Sequence, residues 1–352
     1  MSPARGGRRV LVTGLGTFWG GRVAQRLEAD PTVEVIVGLD REEPTVQLER
    51  TEYVRTDESY SILSRIVKAT KVDTIVHTFL VMDSTGMKSR RIHEINVIGT
   101  MNLFAAASAP GSTVRTVAVK SSTLVYGSSA RDPNVFKEEH TRSEPARTAV
   151  ERSMLEVEGY VRDFAEDNPH VTVSLLRFSN VLGAEIRTPL SKALSLPVVP
   201  RIFGFDPRFQ FVHEDDVIRA IEFALDRNLP GIYNVAGDGL LPWSEVAAIC
   251  GKQTFPLPPF GFRGITSAPL ASLGIELTPE LMDLMRYGRG VDNRRLKAAG
   301  FHYGYTSAGT VEAFVEALRL RRTMGGPGGH DYRYERDVEQ FFRHSPAVVR
   351  DN

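Results

Sequence analysis

The chain reads as an α/β protein: a doubly wound parallel sheet with a smaller mixed α/β lobe. Three observations predict this. Short apolar runs alternate with amphipathic segments of helix length as far as about Gly183, the pattern of βαβ units with helices on both sheet faces. The first apolar run ends in a glycine-rich turn, "VTGLGTFWGG". The second ends in an acid, Asp40, twenty residues beyond Gly20.

Taken in order, "RRVLVTG" is a buried strand, and "WGGRVAQRLEAD" a helix with Val23, Ala24 and Leu27 on one side. "VEVIVGLD" and "EYVRTD" are the next strands, "SILSRIVKAT" a helix and "VDTIVHTF" a fourth strand. "EINVIGTMNLFAAASA" is a long apolar-striped helix, followed by the strand "VRTVAVKSS". "RTAVERSMLEVEGYVRDFAED" is an amphipathic helix and "VTVSLLRFSN" a largely apolar strand. Right-handed crossovers between such strands give the doubly wound sheet.

After Gly183 the rhythm changes. Prolines crowd "TPLSKALSLPVVP" and "FPLPPFGF", where "PLPPFG" reads as a rigid cover. "EDDVIRAIEFALDRN" is a helix opened by acids, with His213 helping to start it, and "GIYNVAG" is a strand. "TPELMDLMRYG" and "GTVEAFVEALRLRR" are further helices. The expected organisation is a dinucleotide-binding domain over 1–183, a partly interleaved substrate lobe over 184–322 lying on the sheet's carboxyl edge, and a polar tail over 323–352 beyond "GGPGG". The tail segment "HDYRYERDVEQFFRHS" fits a helix packed on the body or on a partner, and the sequence leaves both open.

The 352 residues include 43 Lys+Arg against 43 Asp+Glu, so no net field draws nucleic acid or an anionic membrane. No apolar run approaches a membrane span or a signal-peptide core. A lone cysteine, Cys250, fits a reducing compartment, and the cytoplasm is the expected location. The eight histidines show no HxH or HExxH spacing, and no metal site is expected.

In the first turn, Gly14 and Gly16 permit a tight bend and close backbone approach, and Gly20 lets helix and strand pack tightly. The helix amino terminus behind Thr17, Phe18 and Trp19 then faces a pyrophosphate. Asp40 stands at the spacing of an acid that grips an adenosine ribose. This is the pattern of a Rossmann-type dinucleotide site. Its carboxylate repels a 2′-phosphate and favours NAD; Arg41 beside it is able to pair with that phosphate, so NADP is the lesser alternative.

Together these segments resemble the extended short-chain dehydrogenase/reductase family of nucleotide-sugar epimerases and dehydratases. "TGLGTFWG" resembles its TGxxGFxG loop, with Thr17 where a glycine is expected. "RTD" matches the site where an aspartate, here Asp57, meets the adenine amine. "VDTIVHTFL" resembles the strand ending in HxAA, placing His77, Thr78 and Phe79 at the cofactor, and "NVIGTMNLFAAA" the helix bearing Asn96. "KSSTLVYG" resembles the SSxxVYG strand, which implies Ser121 at the cofactor, Ser122 as the catalytic serine and a substrate contact, and Thr123 beside the substrate. "LRFSNVLG" carries the substrate-contacting asparagine as Asn180, and "FQFVHEDDVIRAI" covers the substrate pocket. The likeness is nearest to actinobacterial members described as UDP-glucose 4-epimerase-like, which share "LKS" or "VKS" before the serine and an "EVEGYVR" helix.

One feature departs from the resemblance. The family's proton is moved by a tyrosine with a lysine four residues on, about one helical turn, so both share a face. No YxxxK occurs in this chain. Aligning "LEVEGY" puts Thr148 at the tyrosine and Arg152 at the lysine; sliding by two gives Val150 and Met154, a worse match. Arg152 is able to hold the nicotinamide ribose, whereas an aliphatic hydroxyl starts far above the pKa of about 10 of a phenol. Tyr126 and His77 are the candidate substitutes. Arg187, Arg201, Arg208 and Arg289 are candidates for an anionic substrate, with Arg208 favoured.

Three functions follow as alternatives. The first is an NAD-dependent epimerase, dehydratase or reductase on a nucleotide sugar or similar polar molecule, with Ser122, Thr148 and Arg152 as its atypical catalytic set. The second is a non-catalytic NAD-binding sensor or scaffold, and the third a dehydrogenase/isomerase of a sterol or lipid alcohol. The helices containing Asn96 and Thr148 resemble the pair that forms a four-helix interface in the family, which implies a homodimer.

Overall fold

The computed structural model describes residues 7–57, 59–83, 86–258, 278–324 and 337–350. The second half of the proline-rich cover "PLPPFG", from residue 259 on, and the glycine-rich "GGPGG" lie outside the described residues.

The strands of the main sheet begin with β1 (Arg8–Thr13), β2 (Val33–Asp40), β3 (Glu52–Arg55), β4 (Thr74–His77), β5 (Thr116–Ser122) and β6 (Thr172–Phe178). Four short strands follow: β7 (Asn180–Leu182), β8 (Val199–Ile202), β9 (Arg208–Phe209) and β10 (Phe211–His213). Then β11 (Gly231–Val235) returns to the main sheet, giving seven strands in the order β11-β6-β5-β4-β1-β2-β3, all parallel. The chain therefore reverses direction across the sheet between β1 and β4, and a crevice opens there at the carboxyl ends.

Helices cover both faces. α1 (Phe18–Ala29) lies on one face, and α2 (Tyr60–Thr70) on the other. The stretch after β4 is one continuous helical run in three parts: α3 (Ser89–His93), a π turn over Glu94–Ile98, and α4 (Gly99–Ala107). α5 (Ala149–Asp167) follows β5, α6 (Pro189–Ser195) opens the later lobe, and α7 (Glu214–Arg227) precedes β11. Leu63, Ile66, Leu103, Val150 and Met154 join Leu11, Val117 and Val119 in the core of one face. Val23, Ala24, Leu27, Val217 and Ile221 join Val10, Val76 and Leu176 on the other. Helices pack on both faces of the middle strands, which is why these strands are largely apolar rather than alternating.

The later lobe has its own core of Leu190, Leu194, Phe209, Trp243, Val246 and Phe314. It is tied to the sheet by β11 and α7, so the two regions interleave. The carboxyl-terminal segment packs on the body. Phe341, in the helix Val338–His344, is buried with Leu63 and Ile66, and the amide of Val349 donates to the Ala69 carbonyl at 2.7 Å. No helix among the described residues is long and apolar enough to cross a membrane.

Candidate functional site

The glycine turn after β1 is a backbone cradle. Gly14 has φ +76°, and a Cβ there would stand 2.8 Å from the Phe79 Cα. A Cβ on Gly16 would meet the Glu42 carbonyl at 2.7 Å, and one on Gly20 would meet the Gly14 carbonyl at 2.1 Å. All three positions therefore exclude side chains for steric reasons. Thr17, in place of the family's glycine, is the N-cap of α1: its hydroxyl donates to the Gly14 carbonyl at 2.6 Å and accepts from the Gly20 amide at 3.2 Å. The first-turn amides of Phe18 and Trp19 lie beyond the reach of intrahelical bonding, as the start of any helix requires. These amides and the glycine turn fit an anionic pyrophosphate.

Asp40 closes the far side. It is buried, and its carboxylate accepts from the Gly16 amide at 2.9 Å, the Arg41 amide at 2.6 Å and the Glu42 amide at 3.1 Å. Burial raises its pKa, and those three amides work against the rise. Arg41 and Asp57 face each other at 3.9 Å across a smaller hollow of about 230 Å³, bordered by Glu94, Ile98 and Gly99. Asp40, Arg41 and Asp57 are thus gathered at one end of the crevice, consistent with an adenosine end.

The cradle leads into an open cleft of about 690 Å³ over the carboxyl edge of the sheet. Phe18, Trp19, Leu80 and Met82 line one side, with Lys120, Ser122, Phe178 and Asn180 on its floor. Glu185, Arg187 and Arg289 stand along the later lobe's wall. Ser122 caps a single 3-10 turn, its hydroxyl accepting from the Leu124 amide at 3.2 Å. Asn180 donates to the Gln210 carbonyl at 2.9 Å. Arg289 is buried and donates to the Gly127 carbonyl at 2.8 Å, the Thr123 hydroxyl at 3.4 Å and the Ser128 hydroxyl at 3.2 Å. Burial lowers its pKa to about 10, so it stays a cation at neutral pH.

Several expected site residues are placed elsewhere. Arg208 is exposed and does not line the cleft; Arg187 and Arg289 do. Arg201 lies within β8, also outside that lining. Ser121 points to the opposite face, where its hydroxyl donates to the buried Glu158 at 2.6 Å. Glu158 in turn holds Arg177, which reaches the Tyr126 hydroxyl at 2.7 Å, and Tyr126 donates to Asn234 at 2.8 Å. Tyr126 belongs to this buried structural network, and burial raises its pKa. Asn96 clamps the loop after β4, accepting from the Val81 amide at 2.7 Å and donating to the Val81 carbonyl at 2.8 Å and the Ser153 hydroxyl at 3.0 Å.

His77 is likewise enclosed, between the hydroxyls of Thr13 at 2.7 Å and Thr100 at 3.0 Å. Burial, with the Lys120 charge adding to it, lowers its pKa to about 3, so it is neutral and faces no open space. Thr78 donates to the Thr13 carbonyl at 2.7 Å, next to Gly14, so His77 and Thr78 shape the floor beneath the cradle.

The alignment of Thr148 and Arg152 with the acid–base pair is corrected by the helix itself. Thr148 precedes α5 as its N-cap, in a capping box with Glu151: its hydroxyl accepts from the Glu151 amide at 3.2 Å, and the Glu151 carboxylate accepts from the Thr148 amide at 3.1 Å. Arg152 is exposed and donates to the Arg147 carbonyl at 3.0 Å. Neither lines the cleft. The face of α5 turned to the sheet carries Val150 and Met154, both fully buried and four residues apart. The register that looked poorer in sequence is the one whose side chains point inward, and both of those side chains are apolar.

Sequence reading noted Lys120 only within the shared "VKS" and gave it no role. It occupies β5 as the single cation in "VAVKSS", and it is 4% exposed. That charge inside an otherwise buried strand was the available signal.

A doubly wound sheet with a glycine cradle, a buried acid at the end of β2 and a cleft at the switch point defines a dinucleotide-dependent α/β protein. The model of the NAD dependent epimerase/dehydratase family matches residues 10–236, and the chain belongs to that family. A Mycobacterium tuberculosis relative is 35% identical over 318 residues, covering 89% of this chain and 84% of its own. Among solved structures, the UDP-glucuronic acid 4-epimerase of Bacillus cereus, determined with NAD, superposes with a TM-score of 0.67 at 16% identity, covering 89% of this chain and 99% of that one. The dTDP-glucose 4,6-dehydratase DesIV of Streptomyces venezuelae, also with NAD, gives 0.67 at 22% identity, covering 89% and 98%. At these identities the structures establish the shared fold.

Proposed function

We propose that this protein is an NAD-dependent oxidoreductase or isomerase that acts on a nucleotide sugar or a similarly polar alcohol, in the manner of an epimerase or dehydratase. The observation that carries this reading is the continuity of the glycine cradle with a cleft holding Ser122 and Asn180 on its floor and the cations Arg187 and Arg289 on its wall. The neighbours crystallised with NAD, one an epimerase and one a dehydratase of sugar nucleotides, support it.

In this reading the first-turn amides of Phe18 and Trp19, standing in the space that Gly14, Gly16 and Gly20 clear, hold the pyrophosphate. The Asp40 carboxylate takes the adenosine ribose hydroxyls and disfavours a 2′-phosphate, and Asp57 meets the adenine. When bound, NAD supplies a reversible two-electron acceptor at the cleft. Ser122 orients the reacting hydroxyl, and Asn180 bonds the sugar. Arg289, held rigid by three oxygen acceptors yet keeping N–H donors to spare, meets an anionic group. The protein is a homodimer through α5 and the helical run of the π turn and α4, where Ile98, Met101 and Tyr160 leave apolar side chains 42%, 39% and 37% exposed; light scattering behind a sizing column tests this.

The apolar Val150 and Met154 favour a second reading, in which NAD binds without turnover. One experiment separates the two. The purified protein is saturated with NAD and mixed with a panel of UDP- and dTDP-sugars and an apolar secondary alcohol while absorbance is followed at 340 nm. Change with a sugar nucleotide supports an enzyme of the first kind, and change only with the apolar alcohol redirects the substrate class. Tight NAD without any change supports the sensor. Failure of NAD to bind sinks both.

A further inference from the structure

The side chain that the mechanism above leaves unused is Lys120. It is a buried cation-former on the cleft floor, two residues before Ser122 on the same face of β5, since alternate strand residues share a face. Its Nζ lies 3.2 Å from the Met82 sulfur and 4.9 Å from the centre of the Trp19 ring. Both neighbours are soft and uncharged. Among the described residues no carboxylate forms an ion pair with it, although a buried ammonium ordinarily demands one.

We propose that Lys120 is the acid–base residue of this site: its Nζ takes the proton of the substrate hydroxyl as that carbon is oxidised, and returns it in the reverse step. The inference rests on the enzymatic reading above and supplies the group that α5 lacks. The balance is complete. The O–H bond breaks, its proton joins the Nζ lone pair, and its electron pair becomes the second bond of the new carbonyl. The carbon's hydrogen leaves with its bonding pair to the nicotinamide dinucleotide, which is the oxidant.

The surroundings suit the task. Burial lowers the Lys120 pKa to about 7, so both protonation states are populated at neutral pH, as an acid–base residue needs. The charged and titratable groups around it come from every side. His77 on β4 is neutral, its pKa near 3. Asp83 lies on the loop beyond Met82, and Glu185, Arg187 and Arg289 stand across the cleft. From β6 its register partner is the apolar Leu176, and from α1 Trp19 brings no charge.

Three measurements on the full-length protein test this. In protein labelled with 13C at lysine Cε, the resonance lost in Lys120→Met should titrate with an apparent pKa near 7, in the NAD-free and NAD-saturated protein alike; titration near 10 overturns the proposal whatever the substrate proves to be. In the 340 nm assay with the best sugar nucleotide, Lys120→Met should bind NAD normally and react roughly 100-fold or more slowly. Lys120→Arg, a permanent cation, should fail equally. Undiminished rates in either variant overturn the lysine's role and leave the enzymatic reading intact. A wild-type protein silent towards every alcohol sinks that reading and this one together. Borohydride trapping of substrate on Lys120 would show imine formation in place of proton transfer, and also overturns the proposal.

Discussion

The two ends of the cleft are built by opposite means. At the dinucleotide end, backbone does the work: Gly14, Gly16 and Gly20 clear space, and main-chain amides and one carboxylate present the polar atoms. At the reacting end, side chains must do the work, and there the helix that ordinarily supplies them offers Val150 and Met154, while a strand supplies Lys120. A backbone site tolerates few substitutions because every change is steric. A side-chain site is able to migrate, since a proton acceptor needs only to reach the reacting atom. The comparison teaches that the cradle is fixed by sterics, whereas the acid–base group is constrained only by reach.

The hardest blow to the first half of that contrast is Gly20→Val. The added carbons enter space held by the Gly14 carbonyl, so the turn must open. Overpacking of this kind costs about 1–3 kcal/mol, which acts on the cradle and should lower NAD affinity by roughly 10–100-fold. Calorimetric titration of NAD, with far-UV circular dichroism to confirm the sheet, checks it. Unchanged affinity would mean that the turn is not where the dinucleotide sits.

Asp40→Ala should act less on affinity and more on selectivity. It removes a charge-assisted partner for the ribose and the anchor of the Gly16, Arg41 and Glu42 amides. NAD should bind about tenfold more weakly, and NADP should gain on it because Arg41 then faces the 2′-position without an opposing carboxylate. Competition titrations of the two nucleotides give the ratio. A preference for NAD that survives would remove Asp40 from the ribose.

How much of this was legible beforehand follows the same division. The strands and the glycine turn were readable because burial on both faces and a steric need for glycine each leave a mark in composition. The seventh sheet strand, "GIYNVAG", was visible as a strand, but its place beside β6 was not, since strand order depends on the fold's path. The acid–base end was misread by two residues. "RTAVERSMLE" begins with a turn of polar residues that belong to the cap, and only the helix boundary at Ala149 shows which side chains look inward. Arg289, 162 residues from the Gly127 carbonyl it meets, had no local signal that set it apart from Arg208. Lys120 did have one, a lysine in a buried strand.

Lys120 should also cost stability, and this sharpens the contrast between a group kept for packing and one kept for chemistry. Burial holds its folded pKa at about 7, below the ordinary lysine value of 10.5. Between those values the unfolded chain binds the extra proton, so stability rises with pH across that window, and the cost is fully present below pH 7. Lys120→Met should therefore melt a few degrees higher than the parent at pH 7 and lose that advantage as pH approaches 10.5. Calorimetric scans at the two pH values decide it. A variant less stable at pH 7 would make Lys120 a packing residue.

The smallest effects should come from the pair that sequence alignment favoured. Thr148→Ala deletes the N-cap, leaving the Glu151 amide without its side-chain acceptor, while Glu151 retains the amides of Arg147 and Thr148 and its 2.9 Å pairing with Arg142. The expected loss is about 1 kcal/mol of stability, which for a chain of this size is a fall in Tm of about 1–2 °C. Thr148→Ser keeps the cap and should restore most of it. Arg152→Ala removes one exposed bond to the Arg147 carbonyl and should change neither Tm nor NAD affinity measurably. Neither variant should alter the rate of the 340 nm change. A hundredfold loss of rate in Thr148→Ala with NAD still bound would return the proton to α5, and would leave Lys120 with no part in moving it.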